Sequence, residues 1–322
     1  MKRLPIRAVL LLTVFALLPI QTKATELLIP VGKVIGLQLR SDTITVAAYD
    51  DALGGNARDA GLKIGDEIVM IGDKPVESAE DVRSFLNCGA QTVELTIRRG
   101  GKLSTLRITP HQTADGPRLG IYLRQGIAGI GTVTFYDPQT GLFGTLGHGV
   151  CDSRGKLLKM TDGCAYEASI LSVRKGCSGE PGQLKGSADS PVPFAQLLKN
   201  TPQGVFGIHR RGWKGEPLPT AAYEEIETGP AVIRSTVSDE TPKEYSVEVL
   251  KIYPKSRTDG RNFLIRVTDP ALLEATGGIV QGMSGSPIIQ NGKLVGAVTH
   301  VLVNDPTMGY GIFIENMLDA AA

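Results

Sequence analysis

Near the C-terminal end of the chain, a serine stands between glycines in the sequence Gly-Met-Ser-Gly-Ser-Pro, residues 282–287. Gly282 and Gly285 permit the sharp turn that exposes the hydroxyl group of Ser284. The backbone N–H groups of Gly282 and Ser284 can point together at a developing oxyanion. An ordinary glycine-serine turn at the start of a hairpin is the alternative interpretation. The pattern favours a nucleophilic serine whose oxyanion hole is formed by Gly282 and Ser284.

A nucleophilic serine needs a base, and His148 is the first choice. It lies in Thr-Leu-Gly-His-Gly, directly after a predicted strand and a turn. A carboxylate must then fix the tautomer of the imidazole ring. Asp269 is the first choice because it lies 15 residues before Ser284, although Asp-Pro at this point also fits a plain turn. The acids that compete for this role are Asp137, Asp152, Asp162 and Asp189.

The cysteines and the remaining histidines add no further chemistry to this set. A disulfide scaffold needs more than four cysteines, and spacing alone does not give the pairing of Cys88, Cys151, Cys164 and Cys177. His148 lies three residues before Cys151, but no Cys-x-x-Cys pair accompanies it, so we predict neither a metal nor a cofactor. His111 and His209 have no supporting context and are predicted to be surface residues.

The composition limits what else the chain can be. It has 322 residues, a formal net charge of +1 and 42% hydrophobic residues, which is enough for two packed domains. A nucleic-acid binder would show a surplus of basic residues, and base-stacking platforms are not expected at 5% aromatic content. The 39 glycines and 19 prolines indicate many turns and short strands rather than long helices.

Residues 1–24 are predicted to lie outside the fold. Three basic residues among the first seven precede a charge-free run at residues 8–20 and then small residues, as in a secretory signal peptide. The run is short for a membrane span of about 20 residues. An uncleaved membrane anchor is the alternative. On either interpretation the rest of the chain is exported.

Residues 25–112 form the first predicted domain. Apolar segments at residues 34–39 and 44–47 and an alternating segment at residues 92–98 predict strands. Between them, Ser78 begins a predicted helix with Asp81 at the capping-box position. This pattern predicts a small α+β domain.

The first domain resembles bacterial PDZ domains, through Ala-Gly-Leu-x-x-Gly-Asp-x-Ile and Ile-Gly-Asp-Lys-Pro-Val within residues 60–76. The resemblance implies a groove between a strand and a helix, where the end of a peptide or an extended segment adds as another strand. Gly36 would admit a peptide backbone closely because it has no Cβ atom. The predicted peptide-binding residues are Val34, Ile35, Gly36 and Leu37 on the strand and Val82, Phe85 and Leu86 on the helix. The alternative is that the helix residues are core.

Residues 113–322 form the second predicted domain, in which short strands are separated by glycines. The predicted strands lie near residues 127–135, 166–173, 231–237, 245–252 and 263–267, and the predicted helices near residues 195–198 and 316–318. We therefore expect a closed or double β-barrel. The order of His148 and Ser284 resembles that of chymotrypsin-like proteases. There the second strand of the hairpin after the nucleophile contacts substrate, which implies substrate contact at residues 299–303. Whether His300 faces that pocket or the core stays open.

The whole pattern, with a PDZ-like domain ahead of the barrel, resembles the SpoIVB peptidases of endospore-forming bacteria. The motifs are Thr-Leu-Gly-His-Gly and the run from Gln281 to Val301. The resemblance implies a mainly β fold, with an N-terminal PDZ domain before a chymotrypsin-like double β-barrel. It also implies a serine endopeptidase with Ser284, His148 and Asp269 as its site.

The resemblance further implies a location and partners. Such a peptidase is exported into the space between forespore and mother cell. It cleaves itself and a regulatory protein that silences an intramembrane protease, which triggers processing of the late mother-cell sigma factor. Residues 22–30 are the expected region of self-cleavage. The alternatives are a PDZ adaptor with an inactive barrel and a quality-control protease of the HtrA kind, in which the PDZ domain follows the protease.

Overall fold

The computed structural model describes residues 26–322 except residues 153, 239, 240 and 258. Within this part of the chain, most residues of the regular elements lie in strands. No helix there has the length and apolar composition needed to cross a membrane. The predicted signal or anchor segment, residues 1–24, lies outside the described residues.

The N-terminal half combines two helices with strands of 2 to 16 residues. They are β1 (Leu27–Pro30), β2 (Val34–Tyr49), α1 (Gly55–Asp59), β3 (Glu67–Ile71), β4 (Lys74–Pro75), α2 (Ala79–Leu86), β5 (Val93–Arg99), β6 (Lys102–Ile108), β7 (His111–Thr113), β8 (Gly116–Arg118), β9 (Ile121–Tyr136), β10 (Leu142–Thr145) and β11 (Met160–Arg174).

The C-terminal half is also mainly strand. Its elements are β12 (Gln183–Ala188), β13 (Ala195–Thr201), β14 (Gly204–Ile208), β15 (Leu218–Pro219), a 3-10 helix (Tyr223–Glu225), β16 (Gly229–Ser235), β17 (Lys243–Ile252), β18 (Phe263–Val267), α3 (Pro270–Thr276), β19 (Pro287–Gln290), β20 (Lys293–Leu302), β21 (Asp305–Phe313) and α4 (Ile314–Ala321).

Two closed barrels form the protease part of the described chain. In the first, the order β9-β10-β14-β13-β11-β2 returns to β9, because β2 pairs with both β11 and β9. In the second, the order is β16-β17-β18-β21-β20-β19. The double barrel predicted from the sequence is therefore confirmed.

The PDZ unit is inserted into the first barrel. The first half of β2 is a barrel strand, and its continuation at Ile44–Tyr49 pairs with β3 and with the start of β9. The chain leaves the barrel at Arg40 and returns at Gly126, and these two residues are partners in the β2–β9 ladder. The unit has its own apolar core, which includes Ile44, Leu95 and Leu119.

This topology corrects the predicted domain boundary. Residues 29–40, assigned from the sequence to the PDZ domain, pair with barrel strands β9 and β11 instead. The start of β2 is buried on both faces, with Val34, Ile35 and Leu37 at most 4% exposed. A strand that is apolar on both faces must be packed against other residues on both faces. The start of β2 is packed in this way because it is a strand of the first barrel.

Of the three helices predicted from the sequence, two are present and one is wrong. Ser78 caps α2 as expected, and its hydroxyl and the Asp81 carboxylate complete a capping box. The helix predicted at residues 195–198 is wrong, because this segment lies in β13. Ala195 and Leu197 are buried while Gln196 and Leu198 are exposed, which is the period of a strand. The predicted helix at residues 316–318 lies within α4.

Candidate active site

Ser284 lies in the turn between α3 and β19, where β9 of the first barrel passes close by. The N–H of Thr132 donates to the carbonyl of Ser284 at 3.0 Å, and its hydroxyl donates to the carbonyl of Gly282 at 2.8 Å. Thr134 donates to the carbonyl of Gly285 at 2.7 Å. Gly285 has a φ of +96°, and a Cβ atom there would collide with the carbonyl oxygen of Thr132. The glycine is therefore required by the approach of β9.

The two predicted oxyanion donors are available. Among the described residues, the N–H groups of Gly282 and Ser284 donate to no protein acceptor. The N–H of Gly285, by contrast, donates to the carbonyl of Val298 at 2.7 Å. Two free N–H groups on either side of one residue are the donor pair that a tetrahedral acyl-transfer intermediate needs.

His148 follows a strained turn at the end of β10. Leu146 and Gly147 have φ values of +69° and +68°. For leucine this backbone region costs about 1–2 kcal/mol. Nδ1 of His148 lies 3.0 Å from the carbonyl oxygen of its neighbour Gly149, so Nδ1–H donates and Nε2 is left unprotonated. Burial lowers the pKa of His148, and the Gly149 carbonyl opposes that shift, so the ring is neutral at pH 7.

Ser284 and His148 contact neighbouring residues of β20, Thr299 and His300 respectively. The Ser284 hydroxyl donates to the carbonyl of Thr299 at 2.8 Å. The ring centroid of His148 lies 5.3 Å from that of His300. In this conformation the serine proton is therefore directed at Thr299. Rotation of the Ser284 side chain must precede transfer to His148, and such loose geometry is common before substrate binds.

Asp269 is not brought to His148 by any hydrogen bond of the structure. Its Oδ1 accepts from the N–H groups of Ala271 and Leu272, both at 3.0 Å, and caps α3. Its Oδ2 accepts from the N–H of Ser246 at 3.3 Å. The orienting role predicted for Asp269 is corrected accordingly, because its carboxylate is committed to the start of a helix. A backbone carbonyl holds Nδ1 of His148 instead.

A hairpin of the first barrel reaches the nucleophile turn. The connection between β11 and β12 lies against the residue before the oxyanion hole, where Leu184 N–H donates to Gln281 O at 2.8 Å and Gln281 N–H donates to Gly182 O at 2.9 Å. At the tip, Gly179 N–H donates to Val303 O at 2.9 Å. This hairpin therefore contacts both the nucleophile turn and the end of the segment at residues 299–303. That the segment contacts substrate stays a prediction.

The PDZ groove does not include residues 34–37. Ile35, Gly36 and Leu37 are paired on both sides within the first barrel, and Val34 is paired with β9 and only 1% exposed, so these residues cannot receive a peptide and that prediction is wrong. A cavity of about 400 Å³ lies instead between α2 and residues 117–123. Among the described residues, the first four of β9 pair only with β2, so their other edge is open to an added strand.

Two of the three helix residues predicted for the groove lie at this cavity, and their contact with a peptide stays a prediction. Val82 and Leu86 line this cavity, although both are also at most 5% exposed and belong to the PDZ core. Phe85 does not line it. Its ring lies so close to Gly72 that a Cβ atom there would collide with it, so the prediction for Phe85 is corrected.

The other predicted features are placed as follows. All four cysteines are free thiols, with Cys88, Cys151 and Cys177 exposed. The described residues contain no cluster of three or more metal-ligating side chains. The surface position predicted for His209 is wrong, because it is 6% exposed and packs against Trp213 at a ring centroid distance of 4.6 Å.

Sequence reasoning missed several parts of the site. The groove strand begins with Leu-Gly-Ile at residues 119–121, which has the same apolar-Gly-apolar pattern as Ile35-Gly36-Leu37 and is the signal that could have located it. Asp259 was not considered, yet its negative charge acts on the His300 ring and partly opposes the lowering of that ring's pKa by burial. The carbonyls of Gly149 and Thr299 carry no sequence signal, since every residue has one.

Known proteins resemble the two parts separately. The family described as SpoIVB peptidase S55 matches residues 115–318, and the PDZ domain family matches residues 52–99. A curated protein of Treponema pallidum (strain Nichols) named "Putative zinc metalloprotease" is 36% identical over 80 residues, which is 24% of this chain and 18% of that protein. The chain thus spans less than a fifth of that relative's length.

Two solved structures are similar at low overall scores. The Rv3671c protease from M. tuberculosis in its active form is 18% identical, with a TM-score of 0.36, and the match covers 61% of this chain and 73% of that one. The PDZ domain of the SdrC-like protein Lmo2051 from Listeria monocytogenes is 24% identical, with a TM-score of 0.23, over 26% of this chain and 87% of that one. The fold assignment rests on the strand pairings above.

The peptidase match spans well over half of the chain and contains both His148 and Ser284. The chain is therefore a serine peptidase that carries a PDZ domain. It belongs to the SpoIVB peptidase S55 family.

Proposed function

We propose that this serine peptidase is a signalling endopeptidase of sporulation. It cleaves itself and a regulatory protein that inhibits an intramembrane protease, and this cleavage leads to processing of the late mother-cell sigma factor. The family membership and the PDZ unit support this proposal. Its place of action is the space between the forespore and mother-cell membranes, to which residues 1–24 direct or anchor it.

The observation that carries the peptidase activity is the geometry around Ser284. Its N–H and that of Gly282 are free to bind an oxyanion, and its hydroxyl lies against Thr299 of β20, next to His300, whose ring contacts the neutral base His148. Nucleophilic attack needs a hydroxyl, a base and an oxyanion hole within one small region. These residues provide all three.

The PDZ unit supports a peptide or protein substrate. The open edge of β9 and the cavity beside α2 can accept an extended segment as an added strand, with main-chain hydrogen bonds giving affinity. None of the groove residues forms a nucleophile–base pair. The groove therefore selects or restrains a chain that the barrels cut.

The first test is labelling of the purified protein by a fluorophosphonate, which reacts only with an activated serine. Wild type should be labelled and Ser284→Ala should not. Ser286→Ala is the matched control from the same motif. Its hydroxyl is fully buried and hydrogen-bonded to Ser235 and Met283, so this variant should lose stability but keep the label. A label retained in Ser284→Ala would contradict the assignment.

Cleavage of peptide bonds is tested with the same variants. Ser284→Ala should reduce proteolysis and self-cleavage by at least about 10⁴-fold, and His148→Ala nearly as much, because the two groups act as a unit. The double variant should be little worse than either single one. The fold of Ser284→Ala should persist, because the lost hydroxyl makes a single hydrogen bond, worth about 1 kcal/mol. Additive losses would argue against a nucleophile–base pair.

One observation favours the alternative of an inactive PDZ adaptor. The Ser284 proton is directed at Thr299, and Asp269 is committed to α3. An unlabelled wild-type protein that still binds peptides would support the adaptor. A labelled protein that degrades unfolded casein as readily as its regulatory substrate would instead support an HtrA-like quality-control protease.

A further inference from the structure

The ring of His300 lies against the catalytic base, and the peptidase mechanism above gives it no role. The two imidazole planes are 5.3 Å apart between centroids and inclined by 38°. His300 extends from β20 directly after Thr299, whose carbonyl accepts the proton of the nucleophile. A single strand therefore contacts the nucleophile with one residue and the base with the next.

His300 behaves as a neutral aromatic surface rather than as a titrating group. Among the described residues, its Nδ1 atom is buried and has no hydrogen-bond partner. Leaving a buried polar atom unpaired is unfavourable by about 1–3 kcal/mol, so a purely structural position would be better filled by an apolar residue. Burial is the main reason that the pKa of His300 is lowered to about 4, and the ring is uncharged in the working range.

The titratable and charged groups that act on this ring come from two parts of the chain. His148 on the β10 side and Arg261 on the segment before β18 both lower the pKa of His300, whereas Asp259 on that same segment raises it. Asp259 is held by Arg257, with contacts of 2.7 and 2.8 Å. No carboxylate is hydrogen-bonded to either ring in the described part of the chain. The His148–His300 pair is therefore kept neutral by its surroundings.

We propose that His300 is a positioning residue, whose flat ring fixes the orientation of the His148 imidazole and excludes water from it. The proposal rests on the assigned roles of Ser284 and His148. In many triads a carboxylate restrains the base, but here the restraint comes from the Gly149 carbonyl at one edge of the ring and from the tilted ring of His300 packed beside it. No bond is made or broken at His300.

The test compares His300→Ala with His300→Phe, using a small chromogenic peptide. The Ala variant opens a space beside His148, so kcat should fall by about tenfold to a hundredfold with little change in KM, as for other misplaced catalytic groups. Water entering that space should also raise the pKa of His148 and move the acidic limb of the pH–kcat profile upward. The Phe variant keeps a flat ring, so kcat should stay within about threefold of wild type.

His209 provides the matched control. It is another buried histidine with an unpartnered Nδ1, but it packs on Trp213 and Phe194, away from the site. His209→Ala should lower the melting temperature while leaving kcat per folded molecule and the acidic limb unchanged. If His300→Ala did the same, the proposal would be overturned. An increase of KM alone would also overturn it, because His300 would then contact substrate directly.

A second readout separates this proposal from the proposed function. The pKa of His148 can be followed by NMR of the imidazole protons in Ser284→Ala protein, with no activity required. It should rise when His300 becomes Ala and stay low when it becomes Phe. A wild-type protein without fluorophosphonate labelling would refute the peptidase assignment, and the NMR titration would still decide whether His300 shields His148. An unchanged pKa in His300→Ala would refute the shielding.

Discussion

Position 269 shows how one side chain can satisfy two incompatible interpretations. An Asp 15 residues before the nucleophile fits a catalytic triad, but here its carboxylate accepts three backbone N–H groups at the start of α3. Helix α3 leads directly into the nucleophile turn, so a lost cap would disturb Ser284 indirectly. Removing such a cap costs about 0.5–2 kcal/mol.

The two roles of Asp269 make opposite predictions for conservative variants. As a cap, Asp269→Asn and Asp269→Ser should keep kcat within about threefold of wild type, because both residues cap helices well, while Asp269→Ala should lose stability. As an orienting group, Asp269→Asn should lose about 10⁴-fold, since the amide favours the wrong tautomer of His148. Peptide hydrolysis and chemical unfolding of the three variants separate the roles. The hydrogen bonds here predict the first outcome.

The buried histidines predict how stability depends on pH. Burial lowers the pKa of His148, His209 and His300, the last to about 4. The unfolded chain binds protons near pH 6.5 while the folded chain does not. Stability should therefore be full above pH 6.5 and fall as the pH drops towards 4. Urea unfolding at pH 7.5, 6.0 and 5.0 measures this fall, and His300→Phe should make it shallower. An equal slope in that variant would mean that His300 is not shielded.

At the scale of elements, the sequence predicted turns and helix starts that depend on neighbouring residues. It did not show which of two similar segments forms the groove strand. Ser78 and Asp81 identified the start of α2, and the glycines around Ser284 identified its turn, because each of these depends on neighbours in sequence. Residues 35–37 and 119–121 both read apolar-Gly-apolar. Only the pairing of β2 with β11, more than a hundred residues away, shows that the first copy is a barrel strand.

The relocated groove predicts which substitutions affect docking. A bulky side chain at Ala79, an exposed residue at the edge of the cavity on α2, should alter self-cleavage or choice of protein substrate while leaving hydrolysis of a small peptide unchanged. Ser84→Trp is the control, since Ser84 is exposed on the same helix outside the cavity. Gly36→Trp should instead lose both activities through unfolding, because Gly36 lies between β9 and β11. Altered docking with a folded Gly36→Trp protein would restore the original groove assignment.

At the scale of the molecule, the inserted PDZ unit predicts which truncations fold. A chain that starts at residue 113 lacks β1 and β2, so the first barrel has an open gap between β9 and β11. It should be insoluble and should not react with a fluorophosphonate. Replacing residues 41–125 by a short turn keeps every barrel strand, because Arg40 and Gly126 are already ladder partners. This variant should fold and be labelled at Ser284, and its failure to fold would show that the barrel depends on the PDZ core.

The continuous strand β9 also fixes the distance between the PDZ groove and the nucleophile turn. Leu123 lines the PDZ groove, and Thr132, nine positions further along the same strand, is hydrogen-bonded to the nucleophile turn. At about 3.3 Å per residue this is a span of up to about 30 Å, set by a paired strand rather than by a flexible linker. A substrate docked by its end can reach Ser284 only if at least about nine extended residues separate that end from the scissile bond. Shortening this spacer residue by residue in a model substrate should give a sharp loss of cleavage at a fixed length, whatever the sequence of the spacer.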